Sequence, residues 1–349
     1  YYNTTGSFNV AVGRSALVEN TTATYNTGVG YQALNLTTTG QYNTATGGLA
    51  LEKNTTGEFN SSYGLNSMNA NTTGSNNTGY GAYSLYSNTT ASYSTAVGKN
   101  AAYSTTTSSQ GVTVVGSDAL YQNTTGTDIV AMGRAALYNN TTGNNNVALG
   151  RSALQSNTTA SSNTAVGYQA AYSNTTGSAN NAFGTSALYT NTTGSQNVAM
   201  GNNTLDNNTT GSYNVALGNQ ALGANTTASY NSALGHLALN ANTTGVSNVA
   251  VGYGALASNT TANSNTAMGV NALTANTTGA ENTALGQQAL DNNTTASQNT
   301  AIGYQAAYTN TTGSENAVLG YKAGYYNTTG LANTFLGYVS GELVSTGTR

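Results

Sequence analysis

Residue types that perform acid–base or metal chemistry are few in this sequence and scattered along it. There is one histidine, His236, no cysteine, and ten acidic residues: Glu19, Glu52, Glu58, Asp118, Asp128, Asp206, Glu281, Asp291, Glu315 and Glu342. No two of the acids recur at a spacing typical of glycoside hydrolases, and no Asp repeats as calcium-binding β-rolls require. We therefore predict that the protein is not an enzyme and uses no cofactor or metal.

Charge and hydropathy argue against two classes of partner. The formal net charge is −3, and the basic residues form no cluster: Arg14, Lys53, Lys99, Arg134, Arg151, Lys322 and Arg349. A nucleic-acid partner would call for a basic patch, and a membrane-spanning helix needs about 20 successive apolar residues. We expect neither nucleic-acid binding nor insertion into a membrane.

One motif with chemical potential recurs throughout the chain, the tripeptide Asn-Thr-Thr. Asn-x-Thr is the acceptor of N-glycosylation, so the protein could carry a row of glycans. The same Asn could instead cap a turn through hydrogen bonds from its side chain to the backbone. The sequence leaves both roles open for Asn3, Asn20, Asn54, Asn71, Asn88, Asn123, Asn140, Asn157, Asn174, Asn191, Asn208, Asn225, Asn242, Asn259, Asn276, Asn293, Asn310 and Asn327.

The motif marks a repeat of 17 residues that occupies residues 3–343. Its consensus is N-T-T-G-x-x-N-x-A-φ-G-x-x-A-L-x-x, with φ a large apolar residue, and we number its residues as positions 1 to 17. Twenty units follow one another, with one extra residue within 105–112, where we expect an outward bulge. Residues 344–349 begin a further unit. We expect one continuous array over residues 1–349, cut from a longer protein or joined end to end with other chains.

A unit of this length suits one rung of a β-solenoid, because a helical repeat needs about 33 residues. We predict an all-β fold, a parallel β-roll of 20 rungs of 17 residues each. One strand is expected at positions 7 to 10, as in 214–217, and a second at positions 13 to 16, as in 220–223. Stacking at a spacing of about 4.8 Å would place identical positions above one another.

Position 11 is glycine in all 20 units, which predicts a corner between the two strands. A corner that stacks on itself needs glycine where φ is positive or where the next rung leaves no room for a Cβ atom. Examples of this corner residue are Gly13, Gly30, Gly150, Gly167, Gly218, Gly252, Gly303 and Gly337.

The apolar residues lie at positions 9, 10, 14 and 15, which predicts a thin core that is stable only through neighbouring rungs. Adjacent strand residues point to opposite faces, so an extended chain cannot bury both position 9 and position 10 in one core. Either position 10 packs on another chain, in a bundle such as a trimer, or a bend at position 11 turns both residues inward. The sequence leaves both arrangements open.

Two further columns are visible in the repeat. Asn holds position 7 in most units, where stacked amides would form a ladder of hydrogen bonds between rungs; Ser94, Val112 and Ile129 interrupt it in three successive units. The 25 tyrosines often occupy positions 6, 12 and 16. Their rings could stack on sugars or nucleobases, or shield a surface rich in Gly and Ala.

The segment Asn163-Thr164-Ala165-Val166-Gly167-Tyr168-Gln169-Ala170 resembles the head repeats of trimeric autotransporter adhesins of the YadA type. The whole unit is also similar to repeats of environmental bacterial surface proteins and of proteins like phage tail fibres. This resemblance implies a left-handed parallel β-roll, trimeric assembly and an extracellular adhesive role. It carries over no catalytic residue.

Taken together, these features predict a structural or adhesive fibre segment, extracellular and located at the surface of a cell or virion. We expect its main partner to be itself, as a homo-oligomer or an end-to-end filament, with surface glycans or a host receptor as further partners. The alternative is an ice- or carbohydrate-binding repeat surface. In that case Asn at position 1 and Thr at position 3 would form a flat array.

Overall fold

Each repeat folds into one rung that contains a single strand of three residues, at positions 8 to 10. The computed structural model describes residues 2–106, 111–342 and 344–347, and within these ranges the chain is all-β, with no helix. Within each of two compact units, consecutive strands pair in parallel and in register, so that identical positions lie side by side. The predicted β-solenoid is therefore confirmed.

Two compact units make up the chain, Tyr1–Ser178 and Ala179–Arg349. The strands of the first unit pair in chain order from β1 to β10. They are β1 Val10–Val12, β2 Thr27–Val29, β3 Thr44–Thr46, β4 Ser61–Tyr63, β5 Thr78–Tyr80, β6 Thr95–Val97, β7 Thr113–Val115, β8 Val130–Met132, β9 Val147–Leu149 and β10 Thr164–Val166.

The second unit repeats the same arrangement, with pairing in chain order from β11 to β20. Its strands are β11 Asn181–Phe183, β12 Val198–Met200, β13 Val215–Leu217, β14 Ser232–Leu234, β15 Val249–Val251, β16 Thr266–Met268, β17 Thr283–Leu285, β18 Thr300–Ile302, β19 Ala317–Leu319 and β20 Thr334–Leu336.

The predicted second strand at positions 13 to 16 is wrong. In the segment 220–223, Gln220 and Leu222 have φ angles of 56° and 52°, so left-handed residues alternate with right-handed ones. The segment still bonds to its neighbours, because Gln220 N–H donates to the preceding rung and Leu222 N–H to the following one. Both Ala221 and Leu222 are buried. An extended strand could not turn two successive side chains inward, and the left-handed turn does so.

The core of a rung is half apolar and half amide. In the rung that begins at Asn208, the fully buried side chains are Ala216, Ala221 and Leu222 together with Asn208 and Asn214. Three apolar side chains bury too little surface to stabilise a rung alone, since a buried Leu contributes about 1.5–3 kcal/mol. Each rung therefore depends on the rungs above and below it, which supply both packing and hydrogen-bond partners.

Position 11 forms the corner that follows the strand. The glycine there has φ between 119° and 141° in all 20 units, a region that side chains disfavour. A Cβ atom on Gly47 would lie 2.5 Å from the carbonyl oxygen of Gly64 in the next rung. Both the backbone angle and the close approach of the next rung thus require glycine.

The extra residue of the array lies between Thr106 and Thr113. Thr106 bonds to Thr124, 18 residues on, and Thr113 pairs with Val130 at the usual spacing of 17. Strand β6 pairs with β7 at an offset of 18, as Thr95 with Thr113. The bulge expected within 105–112 falls on residues 107–110, which lie outside the described residues.

The adjacent glycines Gly47 and Gly48 give a matched test of the corner. Gly47→Ala should lower the free energy of unfolding by at least about 2 kcal/mol. The new Cβ atom clashes with the Gly64 carbonyl, and a side chain is strained at the φ angle of this residue. Gly48→Ala should be close to neutral, because its Cβ atom would meet only Leu65 Cδ1, at 3.5 Å. Urea denaturation of both variants measures the difference. Equal stability of the two variants would contradict the corner described here.

Candidate functional site

Two columns of buried asparagines run through each unit and are the most regular chemical feature of the fold. We call them the position-1 ladder and the position-7 ladder, after their place in the repeat. The position-1 residue of the first rung, Asn3, is exposed, while the others, from Asn20 to Asn327, have at most 2% of their surface exposed. A buried carboxamide needs partners for its oxygen and for both N–H groups, so the hydrogen bonds of each ladder decide whether the rung is stable.

In the position-1 ladder most asparagine side chains bond to the next one. Asn225 Nδ2 donates to Asn208 Oδ1 at 2.8 Å and to the Ala228 carbonyl oxygen of its own rung at 3.1 Å. Asn242 Nδ2 then donates to Asn225 Oδ1 at 3.1 Å. Asn225 thus closes the Asn-Thr-Thr turn from within while it holds the preceding rung.

The position-7 ladder joins rungs through backbone and side chain together. The backbone N–H of Asn214 donates to Asn197 Oδ1 at 3.0 Å, and Asn214 Nδ2 donates forward to the Ala228 carbonyl oxygen at 2.9 Å. The expected bond from one amide to the next is present as well, but it is longer, at 3.2 Å from Asn214 Nδ2 to Asn197 Oδ1.

Both ladders converge on the carbonyl oxygen of position 4. The oxygen of Ala228 accepts from Asn225 of its own rung and from Asn214 of the preceding one, so both of its lone pairs are used. Position 4 therefore needs a small residue that leaves room for two carboxamides, and it is Gly or Ala in most units. The sequence alone did not indicate this junction, because a carbonyl oxygen leaves no trace in the residue pattern.

Hydrogen-bond partners are missing where the ladders are interrupted. Thr37 takes the place of Asn in the position-1 ladder, and Asn20 Oδ1 and Thr37 Oγ1 are buried without a partner in the described chain. The position-7 ladder stops at Ser94, whose N–H still bonds to Asn77 Oδ1 but whose Oγ has no partner. Val112 and Ile129, which follow in the same column, are fully buried and replace the amides with apolar packing.

The burial of the position-1 ladder bears on both roles considered for Asn-Thr-Thr. Nδ2, the atom that would carry a glycan, donates two hydrogen bonds inside the turn, as Asn71 Nδ2 does to Asn54 Oδ1 and to the Gly74 carbonyl oxygen. The flat array of positions 1 and 3 is not formed from the second rung onward, because position 1 is buried there and only the Thr of position 3, such as Thr73, faces solvent. A single exposed column of threonines remains.

The strands carry an outward column of large, mostly apolar side chains at position 10, beside smaller and mostly polar residues at position 8. We call the position-10 column the strand face. Position 9 points inward and is buried, whereas Met200, Leu234 and Met268 at position 10 are 42–49% exposed. The single-chain bend that would bury position 10 does not occur, and the strand face is left without cover in the isolated chain.

Aromatic rings form continuous stacks on other faces. Phe8, Tyr25, Tyr42 and Phe59 occupy position 6 of successive rungs, with ring centroids 4.9–5.2 Å apart and planes within 11° of parallel. A second stack lies at position 16: Tyr86, Tyr103, Tyr121 and Tyr138. The sequence shows that tyrosines share positions, but the stacking of their rings on one another was not predicted. An aromatic residue at the same position of successive units is enough to indicate such a stack.

The charged and titratable residues are not brought together. His236 is exposed at position 12, where its ring stacks on Tyr253 at 5.6 Å. Burial raises the pKa of Asp206 and of Asp291, but these lie at position 16 of rungs five apart, roughly 24 Å along the stacking direction. Within the described ranges no group of three His, Cys, Asp or Glu residues could hold a metal ion. No helix of those ranges is long and apolar enough to cross a membrane.

Neither the family models nor the curated proteins compared with this sequence match it.

Removing one amide from the position-1 ladder should be costly. Asn225→Ala removes the donor to Asn208 Oδ1 and the acceptor of Asn242 Nδ2, and both of these atoms stay buried. We therefore expect the free energy of unfolding to fall by about 2–4 kcal/mol. Asn202→Ala removes an exposed amide in the same unit and should change stability by less than about 0.5 kcal/mol. Thermal and urea denaturation compare the two. A similar loss in both variants would refute the ladder.

Completing the ladder should have the opposite effect. Thr37→Asn places an amide beside Asn20 Oδ1, which has no partner, and gives Asn54 Nδ2 an acceptor in the preceding rung. We expect a gain of about 1 kcal/mol in unfolding free energy, the usual net value of one added hydrogen bond. The measurement is the shift in the denaturation midpoint. A loss of stability on this substitution would show that the interruption at Thr37 is required by the packing.

Proposed function

We propose that the protein is a structural or adhesive segment of an extracellular fibre, located at the surface of a cell or virion, that assembles with copies of itself and performs no catalysis. What supports this is the repetition of one set of interactions in rung after rung of each unit. A site for a small substrate needs a place unlike its surroundings, whereas the buried ladders present the same groups in nearly every rung. The resemblance of the repeat to adhesin heads supports the extracellular setting.

The strand face carries the self-association part of the proposal. Apart from Thr46, its side chains are large, mostly apolar and uncharged, and they line up along both units. Isolated exposed apolar residues are ordinary, but a continuous apolar stripe marks an interaction surface. A second copy of this chain presents the same stripe with the same spacing between rungs, so two copies can cover each other along their length.

Sugar binding through the aromatic rings is a weaker candidate than sequence reasoning suggested. A pyranose stacks on the open face of an aromatic ring, but the faces in the position-6 stack are covered by the neighbouring rings. In the interior of the stack, Tyr25 and Tyr42 lie 5.2 Å apart and nearly parallel, which leaves only ring edges and hydroxyl groups exposed.

Charges on the strand face test the proposal. We expect the native chain to sediment as an assembly of several chains and the double variant Met200→Glu, Leu234→Glu to sediment at the 35.2 kDa of one chain. A buried unpaired carboxylate costs several kcal/mol, which is enough to separate the chains. Analytical ultracentrifugation and electron micrographs of the same samples give chain number and particle form.

The matched control places the same charges on another face of the same rungs. Thr193 and Thr227 at position 3 are exposed, so Thr193→Glu, Thr227→Glu should leave the assembly as it is in the native chain. A native chain that stays monomeric, or a strand-face variant that assembles like the native chain, would end the proposal of self-association through this face. Compact particles in place of elongated ones would end the fibre proposal.

A further inference from the structure

The stack at position 16 brings together phenol rings and nothing else. Tyr86, Tyr103, Tyr121 and Tyr138 follow one another in four consecutive rungs, with centroids 5.0, 4.9 and 5.1 Å apart and planes within 15° of parallel. Tyr83 extends the group sideways, 5.7 Å from Tyr86. All five rings are partly exposed, so a reagent in solution can reach them. We call these five residues the phenol cluster.

Phenols in this arrangement can be joined in pairs by oxidation. Each of two tyrosines gives one electron and its hydroxyl proton to the oxidant, and the two phenoxyl radicals form a carbon–carbon bond between their ortho carbons. The hydrogens on those carbons then return the two hydroxyl groups to the phenol form. The product has lost two hydrogen atoms in total, and one molecule of hydrogen peroxide accepts them to become two molecules of water.

Stacking favours this reaction between neighbours in one chain. The backbones of adjacent rungs are fixed by hydrogen bonds, such as Ser104 N–H to the Tyr121 carbonyl oxygen at 3.0 Å, so the rings remain close while their exposed side chains turn. Groups held in this way react as if at very high concentration, which lets coupling within the chain outrun coupling between chains. Phenylalanine cannot form a phenoxyl radical, so the position-6 stack, closed at both ends by Phe8 and Phe59, is limited to one pair.

We infer that the phenol cluster is a site of oxidative cross-linking, at which a peroxide-dependent oxidant joins tyrosines of adjacent rungs into dityrosine. Such bonds tie neighbouring rungs of the phenol cluster to one another covalently, in a chain that has no cysteine for disulfides. Partial burial and the neighbouring phenol groups of Tyr121 and Tyr86 raise the pKa of Tyr103, which keeps this central phenol in its protonated form. This inference rests on the stack and is independent of the proposed fibre function.

The test treats dilute full-length protein with a peroxidase and limiting hydrogen peroxide, followed by trypsin and mass spectrometry. Cleavage after Lys53, Lys99, Arg134 and Arg151 separates the stack into three peptides, 54–99, 100–134 and 135–151. Under denaturing conditions we expect protein at the mass of a single chain that has lost pairs of hydrogen atoms, and joined peptides 54–99 with 100–134 and 100–134 with 135–151. The yield per chain should not change on further dilution, and the product should show dityrosine fluorescence.

Two variants make the result specific. Tyr103→Phe keeps the ring and the packing but removes the central phenol, and the bond between Tyr86 and Tyr103 should disappear from the map. Tyr168→Phe is the control. At the same position of the preceding rung the ring of Tyr168 has Arg151, whose Cζ atom lies 5.7 Å from the ring centroid, so this substitution should leave the map unchanged. Coupling that falls on Tyr168 as often as on the phenol cluster would overturn the inference. So would coupling that is only between chains, or a Tyr103→Phe map identical to that of the native protein.

Discussion

A carbonyl oxygen at position 4 that accepts two asparagine side chains is the interaction on which the rung depends. A rung of 17 residues encloses too small a volume for an ordinary apolar core, and its interior is filled by two alanines, one leucine and two carboxamides. Buried amides are costly unless each of their polar atoms is bonded, and the carbonyl of Ala228 shows how this is met. Because the partners come from two rungs, the same bonds that fill the core also set the register.

The stacking of rungs in turn explains the unusual backbone. Alternate residues after the corner adopt left-handed φ angles with side chains present, as at Gln220 and Leu222, which costs roughly 1–2 kcal/mol per residue. The turn repays this by burying Ala221 and Leu222 together and by bonding to the rungs on both sides. Strain of this kind persists only where the surroundings fix the conformation, and here the surroundings are copies of the same turn.

Part of this structure can be predicted from the sequence because the same 17-residue unit occurs 20 times, so that a residue required at one position recurs there in nearly every unit. The invariant glycine at position 11 predicts the corner, and the column of Asn at position 7 predicts a ladder. The strand at positions 7 to 10 is right to within one residue. The second strand is wrong for a physical reason: Ala221 and Leu222 are successive residues that are both buried, which the left-handed turn permits and an extended strand does not. The junction at position 4 is also invisible, since backbone carbonyls carry no sequence signal.

The fold also explains why a surface function is easier to support than a catalytic one. Nearly all polar groups that lie inside a rung are bonded within the ladders and the corners. The variable positions, such as position 12, face solvent, and their residues differ from rung to rung. The exposed columns that remain are the strand face, the threonines of position 3 and the aromatic stacks of up to four rungs. Surfaces of this kind suit partners that are themselves periodic, and another copy of the same chain is periodic with the same spacing.

Hydrogen exchange at the asparagine side chains shows whether the ladder amides are buried and bonded. Nuclear magnetic resonance can follow the Nδ2 protons of Asn208 and Asn225 alongside those of Asn202, which is exposed in the same unit. We expect the ladder protons to exchange as slowly as the backbone amides of the strands, and those of Asn202 to exchange at the rate of a free side chain. Exchange of Asn208 and Asn225 as fast as that of Asn202 would contradict it.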